Sequence, residues 1–171
     1  MDLSKMDEVE DLLGDNVAGA EIDGPYRYRL WRIWDRKRPA VLFICLNPST
    51  ADAFKDDPTV RRLRGFARSW GYGGFVLVNL FAFRATSPDA LVRVVDPSGP
   101  KNDATIKQAA LSVVEVVVAW GSSRMAPHRA IEVAGLVGRP LVCLGTNKDG
   151  QPKHPLYLPC SATRTHWICP R

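Results

Sequence analysis

Ala40-Val41-Leu42-Phe43-Ile44-Cys45-Leu46, running directly into Asn47-Pro48-Ser49-Thr50-Ala51-Asp52, is the stretch that decides the fold. An unbroken apolar run of this length is too short for an ordinary helix and too apolar for a strand with one wet face. It reads as a strand covered on both sides. Lys37-Arg38-Pro39 breaks the chain before it, and Asn-Pro turns it afterwards. Three similar runs follow, at residues 75–80, 113–120 and 140–144. Helical patterns separate them. Asp57-Pro58 is the pair expected at an N-cap and first helical position. Val60, Leu63, Ala67 and Trp70 then recur at helical spacing, and Gly71 closes the segment. Residues 102–112 and 127–137 are two further helix candidates, opened by Asn102/Asp103 and by Pro127. Buried strands alternating with helices predict an α/β fold, a three-layer α/β/α sandwich around a mostly parallel four-stranded central sheet. The largely alternating ribbon at residues 26–34, Tyr-Arg-Tyr-Arg-Leu-Trp-Arg-Ile-Trp, is expected at an edge of that sheet.

At 171 residues the chain is one ordinary domain. Its charge is unevenly spread. Residues 1–24 carry eight acidic groups against Lys5, and residues 25–171 carry 22 basic groups against 10 acidic ones, so the two parts stand at −7 and +12. This divides the chain into an acidic, weakly helical N-terminal arm (residues 1–24) and a basic α/β body (residues 25–171) suited to a polyanion, nucleic acid above all. No apolar run approaches the ~20 residues of a membrane span, and the N-terminus is acidic where a signal peptide would be basic. Cys45 and Cys143 sit inside apolar runs, Cys160 and Cys169 are widely spaced, and no C-x-x-C occurs. The expectation is a reduced, cytoplasmic, monomeric protein without metal or other cofactor and without a membrane partner.

In an open parallel sheet, ligands bind beyond the carboxyl ends of the strands. Here those ends are Asn47 to Asp52, Asn79 to Arg84, Trp120 to Ser123, and Gly145 to Asn147 followed by Lys153-His154-Pro155. Asn47 offers an amide that can orient a water or a substrate edge. Asn79, at the end of an apolar strand, must find partners for its own amide or read a base edge. Asp52 and Asp56 are carboxylates free to act as a base, whereas Asp57 is best explained as the helix cap. His154 lies in a proline-flanked loop at the same sheet edge. Pro48, Ser49, Thr50 and Phe54 complete the expected substrate wall. Arg61, Arg62, Arg64, Arg68, Arg84 and Lys153 are the candidates for gripping phosphates, with Arg27, Arg29 and Arg32 alongside. The absence of G-x-x-x-x-G-K, G-x-G-x-x-G, H-E-x-x-H and G-x-S-x-G motifs argues against NTP hydrolysis, dinucleotide redox chemistry, zinc proteolysis and serine hydrolysis.

Leu-Asn-Pro-Ser-Thr-Ala-Asp, Asp-Asp-Pro-Thr, Asn-Leu-Phe-Ala, Ala-Trp-Gly and Gly-x-Pro-x-His-Pro-Leu resemble an uncharacterised bacterial and phage domain family carrying the N-P-S-T-A-D signature, over roughly residues 25–168. The order of the motifs is more distantly similar to that of the uracil-DNA glycosylase superfamily. The resemblance implies that Asn47-Pro48 matches the Asn-Pro of the mismatch-specific branch. It likewise implies that Asn79 pairs with a flipped base and that His154-Pro155 opens the loop stabilising the leaving base. Where that loop usually continues with a small polar pair, this chain has Leu156-Tyr157; Phe54 and Phe66 are the candidates for stacking on the base. The implied function is hydrolysis of an N-glycosidic bond of a base in DNA, more than in RNA, or in a related nucleotide. The alternatives are a non-catalytic nucleic-acid-binding module of the same fold and an enzyme on free nucleotides or nucleosides.

Overall fold

The computed structural model describes residues 6–10 and 16–170. Its centre is an eight-stranded mixed sheet. The strands are β1 (Met6–Glu10), β2 (Val17–Asp23), β3 (Tyr26–Ile33), β4 (Ala40–Cys45), β5 (Gly74–Asn79), β6 (Glu115–Val118), β7 (Leu141–Cys143) and β8 (Thr165–Trp167), in the spatial order β1-β2-β3-β5-β4-β6-β7-β8. Parallel pairings are confined to the block β5-β4-β6-β7. The outer pairings β1-β2, β2-β3, β3-β5 and β7-β8 are antiparallel and outnumber them. The expected mostly parallel four-stranded sheet is thus corrected to a mixed sheet twice as wide.

The widening has a local cause. The ribbon at residues 26–34 is not an edge, because β2 pairs along its outer side from Val17 opposite Ile33 to Asp23 opposite Tyr26. The acidic segment is therefore not a helical arm at residues 17–23 but a strand. Glu21 sits opposite Arg29 and forms an ion pair with it at 3.0 Å, a favourable cross-strand arrangement. Of the remaining arm, residues 6–10 form β1, while residues 1–5 and 11–15 lie outside the described residues.

Three helices cover the sheet: α1 (Pro58–Ser69), α2 (Asn102–Leu111) and α3 (Ala126–Val137). Alternation along β4 assigns its two faces. Val41, Phe43 and Cys45 pack with Val60, Leu63, Phe66 and Ala67 of α1. Leu42, Ile44 and Leu46 pack with Ile106 and Ala109 of α2 and Ala130 and Val133 of α3. The result is three layers. Asp57 caps α1 as its sequence predicts, its Oδ1 accepting from Val60 N–H at 2.8 Å. Helix α2 departs from expectation. Lys101 is its N-cap and no side chain caps it; the Asn102 amide instead donates to the carbonyls of Asn79 and Leu80, both at 3.0 Å, tying the helix to the end of β5. No helix among the described residues is long and apolar enough to cross a membrane.

Candidate active site

Each parallel strand delivers residues to one cavity of about 560 Å³. Strand β4 runs into Asn47 and Ser49, β5 ends in Asn79, β6 leads to Trp120, Gly121 and Ser122, and the loop after β7 supplies Asn147 and His154. Arg27 of β3, Cys45, and Asp57 and Thr59 at the start of α1 complete much of the wall. Of the residues singled out from sequence, the fold brings together Asn47, Ser49, Asn79 and His154.

Asn47 is half-buried, and its Nδ2 donates to the carbonyls of Pro48 at 2.9 Å and Ala85 at 2.8 Å. Both neighbours are acceptors, so the amide cannot be turned the other way. Its Oδ1, with no hydrogen-bond partner among the described residues, is the acceptor left for a ligand. Asn79 is 1% exposed and has the opposite polarity. Its Oδ1 accepts from Arg27 Nη2 at 3.0 Å. A guanidinium only donates, which leaves the Asn79 NH₂ as the group without a partner among the described residues.

His154 caps the short 3-10 turn Pro155–Tyr157, its Nδ1 accepting from Leu156 N–H at 3.2 Å. In the neutral ring the proton therefore sits on Nε2. Burial pushes the His154 pKa down, opposed by the charge of Asp57, and the net shift is downward, so the neutral ring is favoured. The root of the His154 side chain lies close to Gly121, which has a φ of +75°, a conformation that favours glycine. A Cβ there would stand 3.0 Å from His154 Cβ. Cys45 contributes no charge, since burial pushes its thiol up to about 12.

Several expected site residues are used elsewhere. Asp52 Oδ1 accepts from Phe54 N–H at 2.9 Å and Lys55 N–H at 2.8 Å, closing a turn. Burial raises its pKa, but those two N–H donors together with Arg84 and Arg32 outweigh it and hold the carboxyl below the ordinary value. Asp56 is bound by Arg32 at 2.9 Å and Arg64 at 2.7 Å. Neither carboxylate lines the cavity; Asp57, read only as a cap, does. Pro48 is buried and Thr50 is exposed, both outside the lining. Phe54 is 78% exposed away from it, and Phe66 lies in the core beneath α1.

Most of the arginines expected to grip phosphates are engaged within the protein. Arg61 donates to the Asp56 carbonyl at 2.8 Å. Arg62 braces the turn after His154, donating to Leu158 and Pro155 carbonyls and to Cys160 Sγ, and lies over the Phe66 ring. Arg68 covers Trp34 at 4.6 Å. Arg84 has a buried Nε without a partner, and Lys153 is exposed beside the Gly145 turn; neither lines the cavity. Sequence reasoning gave no role to Thr59 or Thr86, read Arg27 only as a phosphate contact, and placed Ser122 and Asn147 at strand ends without assigning either a role; all five line the cavity, as does Tyr157. The signal for Ser122 and Asn147 was present, since both immediately follow the ends of buried strands. Arg27 gave none, because nothing in its ribbon marks which arginine turns inward.

Residues 27–156 match the family described as "Protein of unknown function (DUF1643)". The chain belongs to that family. The match spans all four parallel strands and every cavity residue named here except Tyr157. No curated protein and no solved structure matches the chain. Among the described residues no group of three or more His, Cys, Asp and Glu side chains is gathered in a way that could hold a metal ion.

Proposed function

We propose that this protein is an enzyme resembling the uracil-DNA glycosylases, hydrolysing the N-glycosidic bond of a base in DNA or in a related nucleotide. The supporting observation is that Asn47, Asn79 and His154, which stand 32 or more positions apart in the chain, line one cavity at the carboxyl end of the parallel block.

In this reading, Asn47 Oδ1 accepts a hydrogen bond from the attacking water. Asp57, the one carboxylate in the wall among the described residues, takes that water's proton as its oxygen bonds to the sugar C1′. The C1′–N bond breaks and its electron pair leaves with the base. Asn79 NH₂ and neutral His154 Nε2–H donate to the base as negative charge develops on it. A preorganised donor of this kind is worth about 3–4 kcal/mol in comparable oxyanion sites, and positioned proton transfer about 10²–10⁴-fold in rate. A base drawn from a duplex must first leave the stack, at a cost of a few kcal/mol.

The test is base release from oligonucleotides bearing uracil, hypoxanthine, mismatches or hypermodified bases. Abasic product from the native protein, reduced at least about 100-fold by Asn47→Ala, supports this reading; no product at high enzyme concentration rejects it. One observation favours a second reading, an enzyme on free nucleosides or nucleotides. The arginines of α1 that would track a DNA backbone are engaged within the protein. Release of base from nucleosides but not from oligonucleotides would select it.

A further inference from the structure

Arg27 is 2% exposed and lines the cavity, yet no carboxylate lies within ion-pair reach of it among the described residues. Its hydrogen bonds go to neutral oxygens only, Nη1 to the Ala51 carbonyl and Nη2 to Asn79 Oδ1, each at 3.0 Å. Its buried Nε–H has no partner among the described residues. Two described bonds leave a guanidinium with unused donors from its set of five. A buried cation without a counter-charge is costly and is ordinarily paired. Its surroundings do not remedy this. Burial lowers its pKa to about 10, Asp57 and Cys45 oppose that, and Arg84 and Arg32 add to it. Arg27 therefore stays protonated at neutral pH, and Cys45 is a neutral thiol there. Asp57, the one carboxylate among the groups acting on Arg27, lines the same cavity and offsets part of the burial cost without forming an ion pair with it. The remaining place for a compensating charge is the cavity.

We infer that the Arg27–Asn79 pair is an anion-recognition element that selects ligands bearing negative charge on a heterocyclic edge. Arg27 supplies the charge and, by holding Asn79 Oδ1, fixes the Asn79 NH₂ as the donor presented to that edge. The inference rests on assigning the cavity to a base, and it adds a charge preference that this assignment alone does not require. It predicts that acidic nucleobases, or bases as their anions, bind more tightly than neutral ones of the same shape.

The experiment compares calorimetric binding of 5-nitrouracil, ionised at neutral pH, with that of uracil, neutral there. The native protein is expected to prefer 5-nitrouracil by about tenfold or more. The preference should persist in Arg27→Lys, which keeps the charge, and vanish in Arg27→Met. Equal binding of the two bases, an undiminished preference in Arg27→Met, binding of neither base, or equally tight competition by inorganic phosphate would each overturn the inference. Asn79→Asp provides an independent check that does not depend on ligand. By supplying the missing counter-charge it should raise the melting temperature of the free protein, by about 2–4 °C, and abolish the preference for the anion. A lowered melting temperature would show that Arg27 was already compensated. Base release from oligonucleotides without any anion preference would overturn the inference and leave the glycosylase reading standing. An anion preference without base release would do the reverse.

Discussion

Arg27 and Arg32 lie five residues apart on β3 and are almost equally buried, at 2% and 4% exposure. Their surroundings differ in kind. Arg32 donates from Nε to Asp56 Oδ1 at 2.9 Å and from its other nitrogens to the carbonyls of Trp31, Gly19 and Asp52. It joins β2, β3 and the loop before α1 into one charged knot, with Arg64 on the far oxygen of Asp56. Arg27 has only neutral acceptors and an orphaned Nε–H. Burial alone therefore does not say what a cation is for. The ion pair does: Arg32, which has one, holds structure together, and Arg27, which has none among the described residues, faces the cavity.

The largest expected effect attacks the knot. Removing Arg32 leaves Asp56 to Arg64 alone and takes a donor from the carbonyls of Trp31, Gly19 and Asp52, at about 3 kcal/mol or more. Arg32→Met should fall in that range in denaturant unfolding, while Arg27→Met, which removes a charge with no ion-pair partner among the described residues, should cost distinctly less. Equal losses would erase the distinction between the two arginines.

Next in size is Gly121→Ala. The position needs a positive φ and leaves only 3.0 Å from the new Cβ to His154 Cβ. Strain of this kind costs on the order of 1–3 kcal/mol. The displaced imidazole should also reduce base release more than the stability loss accounts for. Full activity in a folded Gly121→Ala protein would remove His154 from the proposed chemistry.

A smaller effect is the pH dependence carried by His154. Burial holds its folded pKa below the ordinary 6.5. As pH falls through about that value the unfolded chain binds a proton before the folded one does, so acid favours unfolding. The contribution of His154 is thus intact above the unfolded pKa and is lost as pH drops toward the folded value. His154→Gln should flatten the acid limb of a stability–pH curve; an unchanged limb would mean that the ring titrates normally.

The same contrast explains what the sequence could and could not disclose. The parallel block was legible because apolar runs as long as residues 40–46 have few alternatives, and the rule about carboxyl ends then led to Asn47, Asn79 and His154. The flanks were not. Val17–Asp23 carries two acidic residues and only weak alternation, and what makes it a strand is its pairing along β3, with Glu21 opposite Arg29, a partner no local pattern names. Strand β8 is three residues long, too short for a period to register. Asp56 was misjudged for the same reason. Next to Asp57 it looks like a free carboxylate, but its role is set by Arg32, 24 residues earlier. Pairing between distant charges is where local reading stops.

The smallest expected effect concerns Arg61, which is exposed on α1 as Arg68 is but, unlike Arg68, covers no aromatic ring among the described residues. Its one described hydrogen bond, to the Asp56 carbonyl at 2.8 Å, lies at the surface. An exposed contact of that kind is worth little, so Arg61→Ala should change unfolding free energy by no more than about 0.5 kcal/mol. Any consequence should instead appear in nucleic-acid binding. A phosphate contact made by this side chain would lower the slope of log affinity against log salt by about one in magnitude when removed. The interactions described for Arg62, Arg64 and Arg68 lead to a different outcome for those three, a loss of stability with the salt slope unchanged. If Arg61→Ala also leaves the slope unchanged, helix α1 plays no part in gripping a strand. The cavity would then be left to recognise its ligand through the base and sugar.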